Sequence, residues 1–430
     1  MKRIRFSAVV LSAALAISML LLTSSAAGKE KEECREKAHS KGHKLTREQI
    51  MVLKDFLKAH RDQRQKHLEK MLIWDQDLLN ALEQIDLTKD QEDALIKIVS
   101  SREPLFLTYA DPITKDGIAL KNSIVADNVK DKTILDSSAK LAKDIGESAI
   151  ELSKMVKEAR QTLTPEQWAV VEDLIKKGQA EGNDILTGMP KQVEDLIALW
   201  GELDLTREQI DYLIGWRHLA ERIQENLARR QEHRIWHELR RILTHEQMKM
   251  VKAYVQPREE EMEKKQHEEI ESAVKLYYDL GLSQEQMDRL FKLVEDKKAE
   301  IIKSADEFAG SGFKLRDEVL AQNPDPAKMR AAAKLLGDDL GKASLLKAEM
   351  VKQARQILTP EQFNLILAKV DEVQAEIEKG VKRTPEEINA GIKLWDQLNL
   401  TPAQKQKLKK LIKHQIREHE HMVKRMMRRH

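Results

Sequence analysis

The sequence predicts an all-α protein of elongated helical hairpins, set out as two tandem repeat units of long amphipathic helices. Three observations carry that prediction. Gly and Pro number only 16 and 10 among 430 residues, about 6% together against a usual ~12%. Charged residues make up 34% and aromatics only 4%, which suits salt-bridge-laced helices and leaves little room for a sandwich, barrel or doubly wound sheet. A short helix-start pattern recurs eight times along the chain. The apolar share of 41% is too high for a disordered chain.

The first element is a targeting segment. Lys2, Arg3 and Arg5 precede an uncharged run from Phe6 to Ala27 that ends in Ser24, Ser25, Ala26 and Ala27. A basic start, an apolar centre and a small-residue end describe a secretory signal over residues 1–27, cleaved after Ala27. The alternative is a retained membrane anchor over residues 6–27, since 22 uncharged residues suffice to span a bilayer. Cleavage leaves 71 basic residues of the original 74 against 72 acidic, a near-neutral chain without the charge excess that nucleic-acid binding requires. The lone cysteine, Cys34, excludes an internal disulfide framework.

The recurring pattern is Leu-Thr-x-x-Gln. It reads Leu45, Thr46, Gln49; Leu87, Thr88, Gln91; Leu163, Thr164, Gln167; and Leu205, Thr206, Gln209 in the first half of the chain. The second half has Leu243, Thr244, Gln247; Leu282, Ser283, Gln286; Leu358, Thr359, Gln362; and Leu400, Thr401, Gln404. This is a capping box: the hydroxyl at N-cap accepts from an early backbone N–H, and the Gln three residues on reaches back to the N-cap N–H. Pro165, Pro360 and Pro402 stand at N1, where a missing N–H costs nothing. Acidic residues at N2 face the positive end of the helix dipole. The Leu before the cap and an apolar residue at N4 (Ile50, Trp168, Ile210, Met248, Met287 or Phe363) form a hydrophobic staple.

One such box begins an ordinary helix; eight require a repeat. Successive boxes start 42, 76, 42, 38, 39, 76 and 42 residues apart. Leu87, Leu163 and Leu205 return as Leu282, Leu358 and Leu400 at a constant offset of 195. Residues 155–168 match residues 350–363 at 11 of 14 positions. The expected units are residues 28–240 and residues 241–430, the second ending in a basic helix.

Within each unit a 3.5-residue seam predicts one long helix packed along another. It runs through Ile134, Ser138, Leu141, Ile145, Ser148, Leu152, Met155 and Ala159, and again through Met329, Ala333, Leu336, Leu340, Ala343, Lys347, Met350 and Ala354. Helix breaks are expected at Asp111-Pro112, Gly182 through Pro190, Gly310-Ser311-Gly312 and Asn323 through Pro326.

A secreted, all-helical chain built on Leu-Thr-x-x-Gln resembles the Spy/CpxP family of periplasmic stress proteins. The boxes at Leu87 and Leu163, with Leu163-Thr164-Pro165-Glu166-Gln167 closing a long helix, are most similar to the family pattern, and Leu282 and Leu358 repeat it. The resemblance implies a periplasmic, ATP-independent chaperone that holds unfolded or misfolded client proteins on a helical surface. It also implies a homo-oligomer and, for some members, a sensor kinase as partner. Eight boxes in one polypeptide exceed the family's usual two, which raises a pseudo-dimer within one chain. The boxes carry over as structural residues; no client-binding position does.

No Gly-rich phosphate loop, His-Glu-x-x-His or nucleophile motif occurs, so no enzyme activity, catalytic residue or cofactor is expected. The alternative function is a periplasmic metal-binding or metal-sensing protein taking zinc, nickel or copper. Its candidate ligands are Cys34, His39 and His43 near the N-terminus and His419 and His421 near the C-terminus; neither cluster has the fixed spacing of a four-ligand site. From Lys405 to His430 ten Lys/Arg oppose two Glu. That basic amphipathic helix offers contact with an anionic membrane surface, or is simply a last helix with cations at its end.

Overall fold

A computed structural model of the chain describes residues 45–59, 61–128, 130–178, 198–199, 202–203, 209 and 234–428. Those residues form helices and short turns, with no strand among them, and the fold is all-α. In chain order the helices are α1 (Arg47–Ala59), α2 (Arg61–Gln84), α3 (Lys89–Ser101), α4 (Glu103–Val125) and α5 (Asp131–Thr162). They continue as α6 (His245–Leu280), α7 (Gln284–Leu320), α8 (Pro326–Ile357), α9 (Pro360–Leu398) and α10 (Pro402–Arg428). Residues 165–178 and 234–242 are also helical. No described helix is long and apolar enough to cross a membrane; residues 1–27, read above as a signal or an anchor, lie outside the described residues.

The chain divides into two compact units. The first takes Met1–Leu82, Lys191–Val274 and Leu398–His430; the second takes Glu83–Pro190 and Lys275–Gln397. Each unit therefore draws on both sequence halves, residues 28–240 and 241–430, whereas repeats folding separately would have kept them apart.

In the second unit α5 and α8 lie against each other, with α4 on α5 and α7 on α8. They are antiparallel: Gly146 faces Ala333, Gly337 faces Ala142, and Gly341 faces Leu135. The contact is closer than ordinary side chains permit. A Cβ on Gly146 would lie 2.7 Å from the Ala333 Cβ, and one on Gly337 would lie 2.7 Å from the Ala142 Cβ.

Two apolar clusters flank this crossing. Leu120, Ile134 and Leu141 collect Ile113, Ile124 and Leu340. Leu315, Val319, Met329, Ala333 and Leu336 collect Phe308 and Ile145. Ile134 and Met329 are almost wholly buried, each contributing about 1.5–3 kcal/mol by removal from water.

The buried stripe departs from the predicted seam. It begins on α5 with Ile134, Ser138 and Leu141 but continues through Ala142, Gly146, Ala149, Ile150 and Ser153; Leu152 is exposed. On α8 it runs from Met329 through Ala333, Leu336, Gly337 and Gly341 to Ser344, and Lys347 is exposed. A straight helix repeats every 3.6 residues and drifts ~20° per heptad from a 3.5 repeat. Both helices are also covered on more than one side.

Two expected breaks are absent. Helix α4 passes through Pro112, and α7 passes through Gly310, Ser311 and Gly312. The break in the first half falls instead at Arg102, ahead of Pro104 in the first turn of α4, where Pro is tolerated. Its counterpart in α7 is Ala299, and α7 stays continuous. The turn at Asn323–Pro326 is present, with Asp325 as N-cap of α8 donating no proton but accepting from Ala327 N–H at 2.8 Å. The Gly182–Pro190 stretch lies outside the described residues.

The first unit buries Leu53, Leu79, Leu199, Leu203, Leu243, Met248, Leu398, Ile416 and Val423. Ile416 and Val423 are seven residues apart on α10, two helical turns, so they share one face of it. Ile412 and Met422 remain exposed. The apolar stripe of the basic helix is thus partly engaged within this unit.

Candidate functional site

Every fully described box closes the same ring of hydrogen bonds. The amide N–H groups of Gln49, Gln91, Gln167, Gln247, Gln286, Gln362 and Gln404 donate to the hydroxyl three residues earlier at 3.1–3.3 Å. The N-cap N–H groups of Thr46, Thr88, Thr164, Thr244, Ser283, Thr359 and Thr401 donate to the Gln Oε1 at 2.9–3.0 Å. Of the eighth box only Gln209 is described; Leu205 and Thr206 lie outside the described residues. Glu166 and Glu361, at N2, accept from their own backbone N–H and then from the Thr hydroxyl, which lowers both carboxyl pKa values. Before two of the boxes the chain reverses through left-handed residues, Gly281 (φ 51°) and Asn399 (φ 40°), the usual way to end a helix abruptly.

The boxes also meet in pairs, through the half of each Gln amide that a cap leaves free. Gln91 Nε2 donates to Gln167 Oε1 at 2.7 Å and to the Thr162 carbonyl at 3.2 Å. Gln167 Nε2 returns to Gln91 Oε1 at 3.2 Å and reaches the Asp86 carbonyl at 2.8 Å. Gln286 and Gln362 repeat this: Gln286 Nε2 donates to Gln362 Oε1 (2.8 Å) and Ile357 O (3.0 Å), and Gln362 Nε2 to Gln286 Oε1 (3.3 Å) and Leu280 O (2.8 Å).

In the first unit Gln49 pairs with Gln209 and reaches Leu203 O at 2.7 Å. Gln404 there pairs with Gln247 and reaches Ile242 O, while Gln247 reaches Leu398 O at 2.6 Å. Thr162, Ile357, Leu280 and Leu398 are the last residues of α5, α8, α6 and α9, so their carbonyls have no partner in their own helices. One glutamine therefore caps the start of its own helix and the end of another. Glu satisfies a capping box equally well, but an ionised carboxylate has no donor for the second task.

An arginine completes the arrangement in the second unit. Arg160, on the last turn of α5, donates to Leu320 O (3.1 Å) and Ala321 O (3.3 Å) at the end of α7, with its guanidinium 4.6 Å from the Trp168 ring centre. Arg355, on the last turn of α8, donates to Val125 O at the end of α4, pairs with Asp127, and lies 4.1 Å from the Phe363 ring centre. A cation on terminal carbonyls complements the negative end of the helix dipole. Sequence reasoning missed both roles. The available signal was the identity of residues 155–168 and 350–363, which reaches upstream of the box to include Arg160 and Arg355.

The candidate metal ligands are not assembled. Cys34, His39 and His43 lie outside the described residues. His419 Nδ1 is 2.7 Å from Asp75 Oδ2, and His421 is exposed two residues further along α10, a separation that turns the two away from one another. Among the described residues no three His, Cys, Asp or Glu side chains are grouped as a metal site. A shallow cleft of about 350 Å³ between α3 and α5 is lined by Lys97, Ser101, Glu158 and Gln161 with Ala94, Ile98 and Thr162.

Asp144 on α5 has its pKa raised, first by burial and then by its hydrogen bond and repulsion with Asp116 on α4. Asp116 is buried, and Lys140 Nζ meets its Oδ1 at 2.7 Å. Its Oδ2 is buried without a hydrogen-bond partner.

Compared with known proteins, the chain matches no protein-family model, no curated protein and no solved structure.

Proposed function

We propose that this chain is an ATP-independent holding chaperone of the bacterial envelope, related to the Spy/CpxP proteins it resembles. It captures unfolded or misfolded polypeptides by weak contacts spread over helical faces. The observation that carries this reading is large apolar side chains left in solvent on helices whose ends are tied down. Met51, Ile73, Ile412 and Met422 are 56%, 62%, 46% and 46% exposed, while the boxes at Gln49, Gln247 and Gln404 fix helix ends in the same unit.

Single exposed apolar residues are ordinary on protein surfaces. Their dispersal among charged neighbours gives many shallow contacts and no one groove. Flexible Met side chains adapt to varied clients. In this reading residues 1–27 are a cleaved export signal, no nucleotide, metal or catalytic group takes part, and nucleic acid is not a ligand.

The test is fluorescence anisotropy of a reduced, alkylated polypeptide titrated with the chain in EDTA, beside the same polypeptide in its native, disulfide-bonded form. Binding of the unfolded form alone is expected, weakened when Met51, Ile73, Ile412 and Met422 are replaced together by Ser. Equal affinity for both forms, or none for either, refutes the reading.

A further inference from the structure

The α5–α8 contact obeys a numerical rule. Position n in residues 131–162 corresponds to position n + 195 in residues 326–357. Gly146 meets Ala333, and the corresponding exchange, Ser138 with Gly341, is also in contact, a Cβ on Gly341 lying 3.7 Å from the Ser138 Cβ. Ala142 meets Gly337, its own counterpart. The terminal arginines follow the same exchange: Arg160 reaches Leu320 O, and Arg355 reaches Val125 O. When i touches j wherever the counterpart of i touches the counterpart of j, the interface is isologous, as in a two-fold dimer. The axis passes between Ala142 and Gly337.

The two faces are nevertheless unlike where likeness would matter. On the axis one side chain is Ala and the other Gly, and a second Cβ there would lie 2.7 Å from the first; first-half faces pairing with themselves would meet that clash. Off the axis Arg330 makes a two-pronged pair with Glu147 at 2.8 and 3.2 Å. The counterpart of Glu147 is Lys342, so second-half faces pairing with themselves would set Arg330 against Lys342, twice. Opposed like charges and a steric clash are ways in which an interface rejects a wrong partner.

We propose that each face of the α5–α8 seam is an interaction surface whose fitting partner is the other face of the same chain. The seam is a two-fold interface made unequal, closed within one polypeptide and shut to a second copy.

Two measurements on the full chain test this. In a Cys34→Ser background, Ser138→Cys with Gly341→Cys should oxidise to a bridge within one chain. Equimolar mixing of the two single-cysteine chains should give no cross-linked dimer. A mixed-chain dimer overturns the proposal.

The second measurement is thermal. Gly337→Ala should lower the melting temperature by about 3 °C or more, and adding Ala142→Gly should recover most of that loss, because the swap only exchanges the two sides of the axis. A double variant no more stable than Gly337→Ala alone overturns the two-fold reading.

Discussion

Replacing Gln362 by Glu isolates the second task of the glutamine from the first. The carboxylate keeps the acceptor for Thr359 N–H, now bonded at 2.9 Å, so the cap itself survives. It loses the donations to Leu280 O at 2.8 Å and to Gln286 Oε1 at 3.3 Å, and sets a negative charge against both oxygens. Gln286 Oε1 keeps its bond from Ser283 N–H, so Leu280 O is the acceptor left unsatisfied, at ~1–3 kcal/mol when buried. The site is only part-buried, which places the loss near the lower end, about 1–2 kcal/mol. For a unit of this size that lowers the melting temperature by roughly 2–8 °C.

The pH dependence is a built-in control for that variant. A carboxyl facing two acceptors has its folded pKa raised, so the folded chain binds the proton more tightly than the unfolded one. The stability is recovered below the usual carboxylate range and lost as pH rises through the raised value. Circular-dichroism melts of Gln362→Glu and the native chain at pH 7.5 and pH 4.5 should therefore differ strongly at the first and little at the second. A melting temperature unchanged at pH 7.5, or a loss that does not depend on pH, refutes the two-task account.

Further predictions follow the same physics. The alanine cycle Gln286→Ala, Gln362→Ala and both together should be non-additive by about 1 kcal/mol, because one pair of hydrogen bonds is lost in either single variant; urea melts measure it. Thr164→Ala should cost about 1 kcal/mol, the usual worth of an N-cap, read in the same melts. Asp144→Asn should raise the melting temperature at neutral pH and lose that advantage near pH 3. The native group's raised pKa gives stability that is full below the unfolded value and lost as pH climbs through the folded one. Glu147→Gln runs oppositely, because Arg330 lowers the Glu147 pKa: its penalty should be present at neutral pH and vanish as pH falls through that lowered value.

The helical class was legible because it needs only composition and spacing: few Gly and Pro, dense charge, and helix starts marked at Thr88 or Ser283 by residues three positions apart. Interactions between distant segments were not legible at that level. The 42-76-42 spacing marks a repeat, yet it does not say that Gln91 meets Gln167 or that Gln49 meets Gln209, since a Gln at N3 reads the same whether or not its second donor is used. The seam shows the limit from another side. Ile134, Ser138 and Leu141 were found by period, but the period passed over Gly146, which is buried beside a half-buried Ile145, because close helix approach selects small residues that an apolar pattern does not mark. Pro112 and Gly310 were misread as breaks because local propensity was weighed without the packing that overrides it. Of the surface that would hold a client, the sequence marks nothing, since adaptable contacts need no fixed spacing.

The central claim is that the chain holds unfolding proteins without nucleotide or metal. Its most direct test is light scattering from a chemically unfolded client diluted into buffer with EDTA, with residues 28–430 added at equal molarity and no ATP. The account predicts that scattering is suppressed at near-stoichiometric ratios and that zinc adds nothing. Scattering that is unchanged, or suppressed only after excess zinc, contradicts it.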